Sequence, residues 1–154
     1  VILAVSDSCA AGTRTDTSGP AIRAMLENAG FAVQAMQTVQ DEEGQISAAI
    51  VHACDILQAD LVVTTGGTGL SPRDVTPEAT LSVLDREIRA IPVAMWVEGL
   101  KSTPRAMLSR AVAGIRGHTL VLNVPGSEKA ARENLGAVVA TLDHALRMLA
   151  GGGH

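Results

Sequence analysis

The sequence predicts an α/β domain, a three-layer α/β/α sandwich around a mostly parallel, mixed central sheet. Three observations carry that expectation. The runs Val1 to Val5 and Leu61-Val62-Val63 are continuously apolar, as strands covered on both faces require. Stretches with apolar residues at helical spacing separate such runs. Late in the chain, the turn Arg116-Gly117-His118 joins two short strand-like runs and adds an antiparallel pair to the sheet.

In chain order, the strand Val1 to Val5 ends in a polar loop, Ser6 to Asp16. Thr17 or Ser18 then N-caps a helix, Pro20 suits its first turn, and Ile22, Met25, Leu26 and Ala29 recur until Gly30 closes it. Phe31 to Val39 alternates loosely as a second strand. Asp41-Glu42-Glu43 places acid at the start of a helix bearing Ile46, Ala49, Ile50, Ala53 and Leu57 on one face. Leu61-Val62-Val63 is a buried strand that runs into glycines, at the edge where open α/β sheets bind ligands. Thr76 to Thr80 opens a helix carrying Leu81 and Leu84, and another helix lies near Pro92 to Lys101. Strands follow around Val112 to Ile115 and Thr119 to Val124. After Pro125-Gly126-Ser127, a long helix carries Leu135, Val138, Val139, Leu142, Leu146 and Leu149 as an apolar stripe.

With 154 residues and no internal repeat or linker-like shift in composition, residues 1–150 are expected to form one domain and 151–154 a flexible tail. The formal charge of −4 and the 1% aromatic content argue against nucleic-acid partners, which demand clustered cations and stacking platforms. No apolar run approaches the roughly 18 residues needed to cross a bilayer, and no signal-peptide pattern opens the chain. The expectation is a cytoplasmic protein without a membrane partner. The two cysteines, Cys9 and Cys54, and the four histidines lack zinc-binding spacing.

The most informative stretch is TTGGTGLSPRDVTPEAT, Thr64 to Thr80. Gly66, Gly67 and Gly69 allow backbone N–H groups to approach an anion, with Thr65 and Thr68 hydroxyls alongside. It is not a Walker loop, since the lysine is absent. A tight strand-to-loop turn would need the same glycines. Arg73 and Asp74 suit a phosphate and Mg²⁺, respectively, yet also suit a surface ion pair or a helix cap. Asp41 has a similar double reading, because acid at a helix start is common without catalysis. Cys9 reads as a reactive thiol or a small buried filler, and Trp96 as core or interface packing or a wall of a ligand site.

The pattern TTGGTG-x-x-x-R-D-x-T-P-E-A resembles the MogA/MoaB family of molybdenum-cofactor biosynthesis proteins, which includes the G domain of gephyrin. Further matches are Ser6-Asp7 with Gly12 and Asp16-x-x-Gly19-Pro20 near the start, then Thr103-Pro104-x-Ala106-Met107-Leu108-Ser109-Arg110 and Asn123-x-Pro125-Gly126-Ser127. The resemblance covers nearly the whole chain. It implies a molybdopterin adenylyltransferase that joins AMP from Mg-ATP to molybdopterin and releases pyrophosphate. It also implies a homotrimer and a hand-off to a molybdenum-insertion protein. The alternative is a non-catalytic molybdopterin carrier or scaffold, as in MoaB-like members. By resemblance, Asp41 and Asp74 are the catalytic, Mg²⁺-holding aspartates. The same resemblance makes Gly66, Gly67, Thr68 and Gly69 the phosphate turn, with Thr65 and Arg73 beside it. Ser6, Asp7, Asp16 and Gly19 form the nucleotide-side loop, while Ser109, Pro125, Gly126 and Ser127 border the pocket. Many members of the family have an arginine after the Ser-Asp pair where this chain has Ser8, so one phosphate contact is either missing or supplied by Arg14.

Overall fold

The computed structural model describes residues 1–152. Six strands form one sheet: β1 (Ile2–Val5), β2 (Met36–Val39), β3 (Leu61–Thr65), β4 (Arg86–Glu87), β5 (Ala113–Arg116) and β6 (Thr119–Val124). Their spatial order is β2-β1-β3-β6-β5-β4. The first four in that order run parallel, and β5 and β4 are antiparallel to their neighbours. The mixed sheet is therefore as expected, with the hairpin at Arg116–Thr119 as its cause.

Alternate residues of the buried strands feed two cores. On one face, Ile2, Val63, Leu120 and Leu122 pack with Ile22 and Leu26 of α2 (Ser18–Asn28) and Met95 of α5 (Ala90–Ser102). Leu135, Val138 and Leu142 of α6 (Glu128–Leu149) complete that core. On the other face, Leu3, Val5, Val62 and Val121 pack with Ile46 and Ile50 of α3 (Glu43–Val51) and Ala79 of α4 (Thr76–Leu81). Both faces being covered explains why β1 and the first three residues of β3 read as unbroken apolar runs.

Local departures have local causes. The loop after β1 contains a short helix, α1 (Asp7–Ala10), capped by the Ser6 hydroxyl accepting from Cys9 N at 3.2 Å. Thr17 holds the N-cap position of α2, as one of the two expected residues, but the capping side chain is Asp16, whose Oδ1 accepts from Ser18 N and Gly19 N at 3.0 and 3.1 Å. The second strand is confined to Met36–Val39, because Phe31 and Val33 supply side chains to the core before the backbone begins to pair. Helix α3 passes into a π-helical turn, His52–Ile56, which leaves Leu57 only half-buried. Leu81 is 44% exposed, so α4 buries Ala79 instead, while the other expected leucine, Leu84, lies beyond the helix end and packs partly buried against the second core. Strand β4 and a 3₁₀ turn at Pro104–Leu108 carry too few residues for a periodic signal. Trp96 is half-buried, consistent with packing, although its indole N–H has no partner among the described residues. Of the expected tail, Gly151 and Gly152 are exposed, whereas Gly153 and His154 lie outside the described residues. No helix among the described residues is long and apolar enough to cross a membrane.

Candidate functional site

The chain leaves β1 outward to β2 and returns on the other side of β1 as β3, so the strand order reverses between β1 and β3. A crevice opens at the carboxyl ends of strands at such a switch point. Here it is walled by the segments after β1, β3 and β6. Gly66 N donates to Val124 O at 3.1 Å, and Thr65 Oγ1 donates to Pro125 O at 2.8 Å, which clamps two of those segments together.

The turn after β3 requires its glycines. Gly66 and Gly67 have φ of +99° and +65°. A Cβ on Gly66 would overlap Val5 O, and one on Gly67 would overlap Thr76 Oγ1 and lie 3.2 Å from Asp41 Oδ1. The two readings of this turn are therefore compatible: the glycines are forced by the backbone, and they also keep the turn bare beside a carboxylate.

Two cavities meet at this turn. The first, about 310 Å³, is lined by Ser6, Cys9, Arg14, Asp16, Asp41 and Thr65, among others. The second, about 490 Å³, is lined by Thr68, Gly69, Arg105, Ser109, Pro125 and residues of α5 and α6. Gly67, Asp74, Gly126 and Ser127 line both, and α6 starts at this common wall with the Ser127 hydroxyl accepting from Ala130 N. The positive end of a long helix dipole thus lies where the cavities join.

Asp41 and Asp74 are close enough for their charges to interact. Burial pushes the Asp41 carboxyl above its ordinary value, and the Asp7 and Asp74 charges add to this against the lowering bond from Asp7 N–H and the nearby Arg73. Asp74 Oδ2 accepts from Ser71 N at 2.9 Å. Asp41 Oδ2 accepts from Asp7 N at 2.8 Å, so the Oδ1 atom of each aspartate is open among the described residues. No group of three or more His, Cys, Asp or Glu capable of holding a metal occurs among those residues. Two hard carboxylate oxygens still fit Mg²⁺, which takes one or two carboxylates and completes its shell with water and phosphate oxygens.

Not every residue taken from the resemblance borders these cavities. Asp7 and Arg73 line neither; they form a two-pronged ion pair with Nη2 to Oδ2 at 2.8 Å and Nε to Oδ2 at 3.0 Å. Arg73 therefore neutralises Asp7 instead of facing an anion. Its guanidinium and the Asp41 N–H bond, the latter being the larger cause, hold the Asp7 carboxyl below its usual range. Gly19 lies beneath Asp16, in the first turn of α2, and lines neither cavity. Asn123, from the Asn-x-Pro-Gly-Ser segment, is fully buried, donating to Thr64 Oγ1 and Thr80 Oγ1 and accepting from Val112 N.

The distribution of cations was not legible in the sequence. Of 12 lysines and arginines, only Arg14, Arg86 and Arg105 lack a carboxylate within 4.0 Å among the described residues. Arg110 is held by Glu78, Gly69 O and Asp74 O, and so braces the loop. Arg14 lines the first cavity and Arg105 the second. Each cavity thus has one uncompensated cation.

Fold and site together define an α/β/α ligand-binding domain with a bare glycine turn between two carboxylates and two adjoining chambers. The family described as a probable molybdopterin binding domain matches residues 1–144, and the chain belongs to it. The solved molybdopterin biosynthesis enzyme MoaB of Thermus thermophilus is 49% identical, with a TM-score of 0.92 over 97% of this chain and 94% of that one. A molybdopterin adenylyltransferase of Helicobacter pylori strain J99 is 38% identical over 97% of this chain and 86% of its own length. The gephyrin of Dictyostelium discoideum is 40% identical over 96% of this chain, which spans only 22% of that protein's length.

Proposed function

We propose that this chain acts in molybdenum-cofactor biosynthesis as a molybdopterin adenylyltransferase using Mg-ATP. The observation that carries the reading is the pair of cavities sharing Gly67, Asp74, Gly126 and Ser127. Two substrates placed one in each would bring their phosphates together at the shared wall. The smaller, more polar chamber with Arg14 suits the nucleotide, and the larger one with Arg105 suits the pterin. An oxygen of the terminal molybdopterin phosphate attacks the α-phosphorus of ATP; that P–O bond forms, the bond to the β-phosphate oxygen breaks, and pyrophosphate leaves. The attacking oxygen is already anionic, so no strong base is needed, and positioning with charge neutralisation provides the rate.

In this reading, Asp41 and Asp74 hold Mg²⁺, which when bound neutralises the nucleotide phosphates. The N–H groups of the glycine turn and the start of α6 receive phosphate oxygens. Arg110 keeps the Asp74 loop in place. Val93, Val97 and Leu100, exposed at helical spacing on α5, support a homotrimer that covers them. Delivery of the adenylylated pterin to a molybdenum-insertion protein completes the proposal.

The test is pyrophosphate release measured with and without molybdopterin. Pterin-dependent release that falls about 100-fold or more in Asp41→Ala and Asp74→Ala, with folding intact, is the expected result. Molybdopterin binding with no pyrophosphate at any Mg-ATP concentration would replace this reading by the carrier.

A further inference from the structure

The inward stripe of α6 reads Ala131, Leu135, Val138 and Leu142, and Asn134 stands within it, only 4% exposed. A leucine would be the ordinary occupant of such a position. The carboxamide of Asn134 forms no side-chain hydrogen bond among the described residues, and it lines the larger cavity beside Gly99, Thr103 and Glu133. Its amide atoms are not among the closed-off polar atoms left without a partner, so they open onto that cavity, where water or a ligand completes their hydrogen bonds. The orphaned atoms Thr76 Oγ1 and Trp96 Nε1 line neither cavity described above. Asn134 instead borders about 490 Å³, room for a bicyclic ring system.

We infer that Asn134 is a specificity-determining residue, whose carboxamide reads the hydrogen-bonding edge of the heterocycle bound in the larger cavity. The inference rests on the function proposed above and deepens it. A carboxamide presents a donor and an acceptor side by side, complementary to a ring lactam or amino-imine edge such as the pyrimidinone of a pterin. Glu133 lies next to it with Oε1 accepting from Ser102 Oγ at 2.8 Å, which leaves Oε2 to accept from a ring amino group. Gly99 of α5 faces this point of α6: a Cβ there would lie 3.7 Å from Asn134 Nδ2, in ordinary contact, and would crowd Ala106 Cβ at 2.9 Å. The cation in this cavity, Arg105, is then left for the phosphate of the same ligand.

The experiment titrates molybdopterin and, separately, Mg-ATP into the wild type, Asn134→Leu and Asn134→Ser, and records the thermal midpoint of each protein. The expected result for the leucine variant is molybdopterin affinity weakened at least about tenfold, Mg-ATP affinity unchanged and a midpoint equal to or above wild type. The serine variant, smaller and still polar, gives the same readout should leucine prevent folding. Unchanged molybdopterin affinity in a folded variant overturns the inference. So does an equal loss for both ligands, which would make Asn134 a structural residue. A wild type that binds no molybdopterin overturns the functional reading itself, whereas one that binds it regardless of residue 134 overturns this inference alone.

Discussion

Asp7 and Asp41 hold one another reciprocally: Asp7 N–H donates to Asp41 Oδ2 at 2.8 Å, and Asp41 N–H donates to Asp7 Oδ1 at 2.9 Å. The pair joins the segment after β1 to the loop that leads into α3, where Asp41 lines the first cavity. Asp7 thereby positions Asp41 without itself lining the space.

Asp7→Ala removes the acceptor for Asp41 N–H and releases Arg73. Small displacements of a positioned group have large kinetic effects, so kcat/KM for pyrophosphate release should fall about 100-fold while the fold survives. Arg73→Ala leaves both Asp7–Asp41 bonds in place and should lose less. A larger loss in the arginine variant would show that Arg73 touches substrate.

The raised carboxyl of Asp41 makes a prediction with a definite sign. Its ionised form is disfavoured in the fold, so the stability it allows is full below about pH 4, where the unfolded chain is protonated too. That stability is lost as pH rises through the raised native value. Asp41→Asn should therefore raise the thermal midpoint at pH 7 and leave it unchanged at pH 3, by calorimetry. Adding Mg-ATP at pH 7 should stabilise the wild type more than the variant. A variant less stable at pH 7 would mean that its charged bond to Asp7 N–H outweighs burial.

What the sequence revealed follows from how far each signal reaches along the chain. Apolar runs announced β1 and β3 because both faces of these strands are covered, whereas β6 was announced by the turn at Arg116-Gly117-His118 that pairs it with β5. The loop helix α1 escaped because its four residues depend on one serine cap. At the site, Thr65 to Gly69 and Asp74 were legible as a local cluster, and so was the loop around Ser6 and Asp16. The roles within that cluster were not. Whether Arg73 or Arg14 meets an anion depends on which carboxylate each one finds across the fold, as Arg73 finds Asp7 66 positions away. Asn134 had no local signal beyond a polar residue in an apolar stripe.

Gly66→Ala and Gly67→Ala test the turn. A non-glycine residue at these φ values costs about 1–3 kcal/mol, before the overlap with Val5 O or Thr76 Oγ1 is counted. Each variant should lose about 3 kcal/mol or more, lowering Tm by roughly 6–12 °C. The overlaps are of different kinds: Val5 O is backbone within β1, whereas Thr76 Oγ1 is a side chain. Gly66→Ala should therefore be the more destabilised in urea titrations, and Gly67→Ala should show a larger activity loss relative to its stability loss, because its Cβ crowds Asp41.

The same contact identifies a position where stability can be gained. Thr76 is fully buried and its Oγ1 has no hydrogen-bond partner among the described residues. Its backbone is well used, since Thr76 N donates to Gly67 O and Thr76 O accepts from Thr80 Oγ1. Thr76→Val keeps the shape and both backbone bonds while replacing the unpaired hydroxyl with a methyl group. Removing an orphaned buried polar group should stabilise the protein by about 1–3 kcal/mol, a gain of roughly 2–12 °C in Tm. Lost stability would instead mean that a buried water or a hydrogen bond formed in solution satisfies Oγ1. Pyrophosphate release separates structure from function at this residue: because Oγ1 is closed off from both cavities, the valine variant should retain wild-type kcat and KM. A valine variant that gains stability but loses turnover would show that the hydroxyl becomes accessible when substrate binds, with Gly67 moving to admit it.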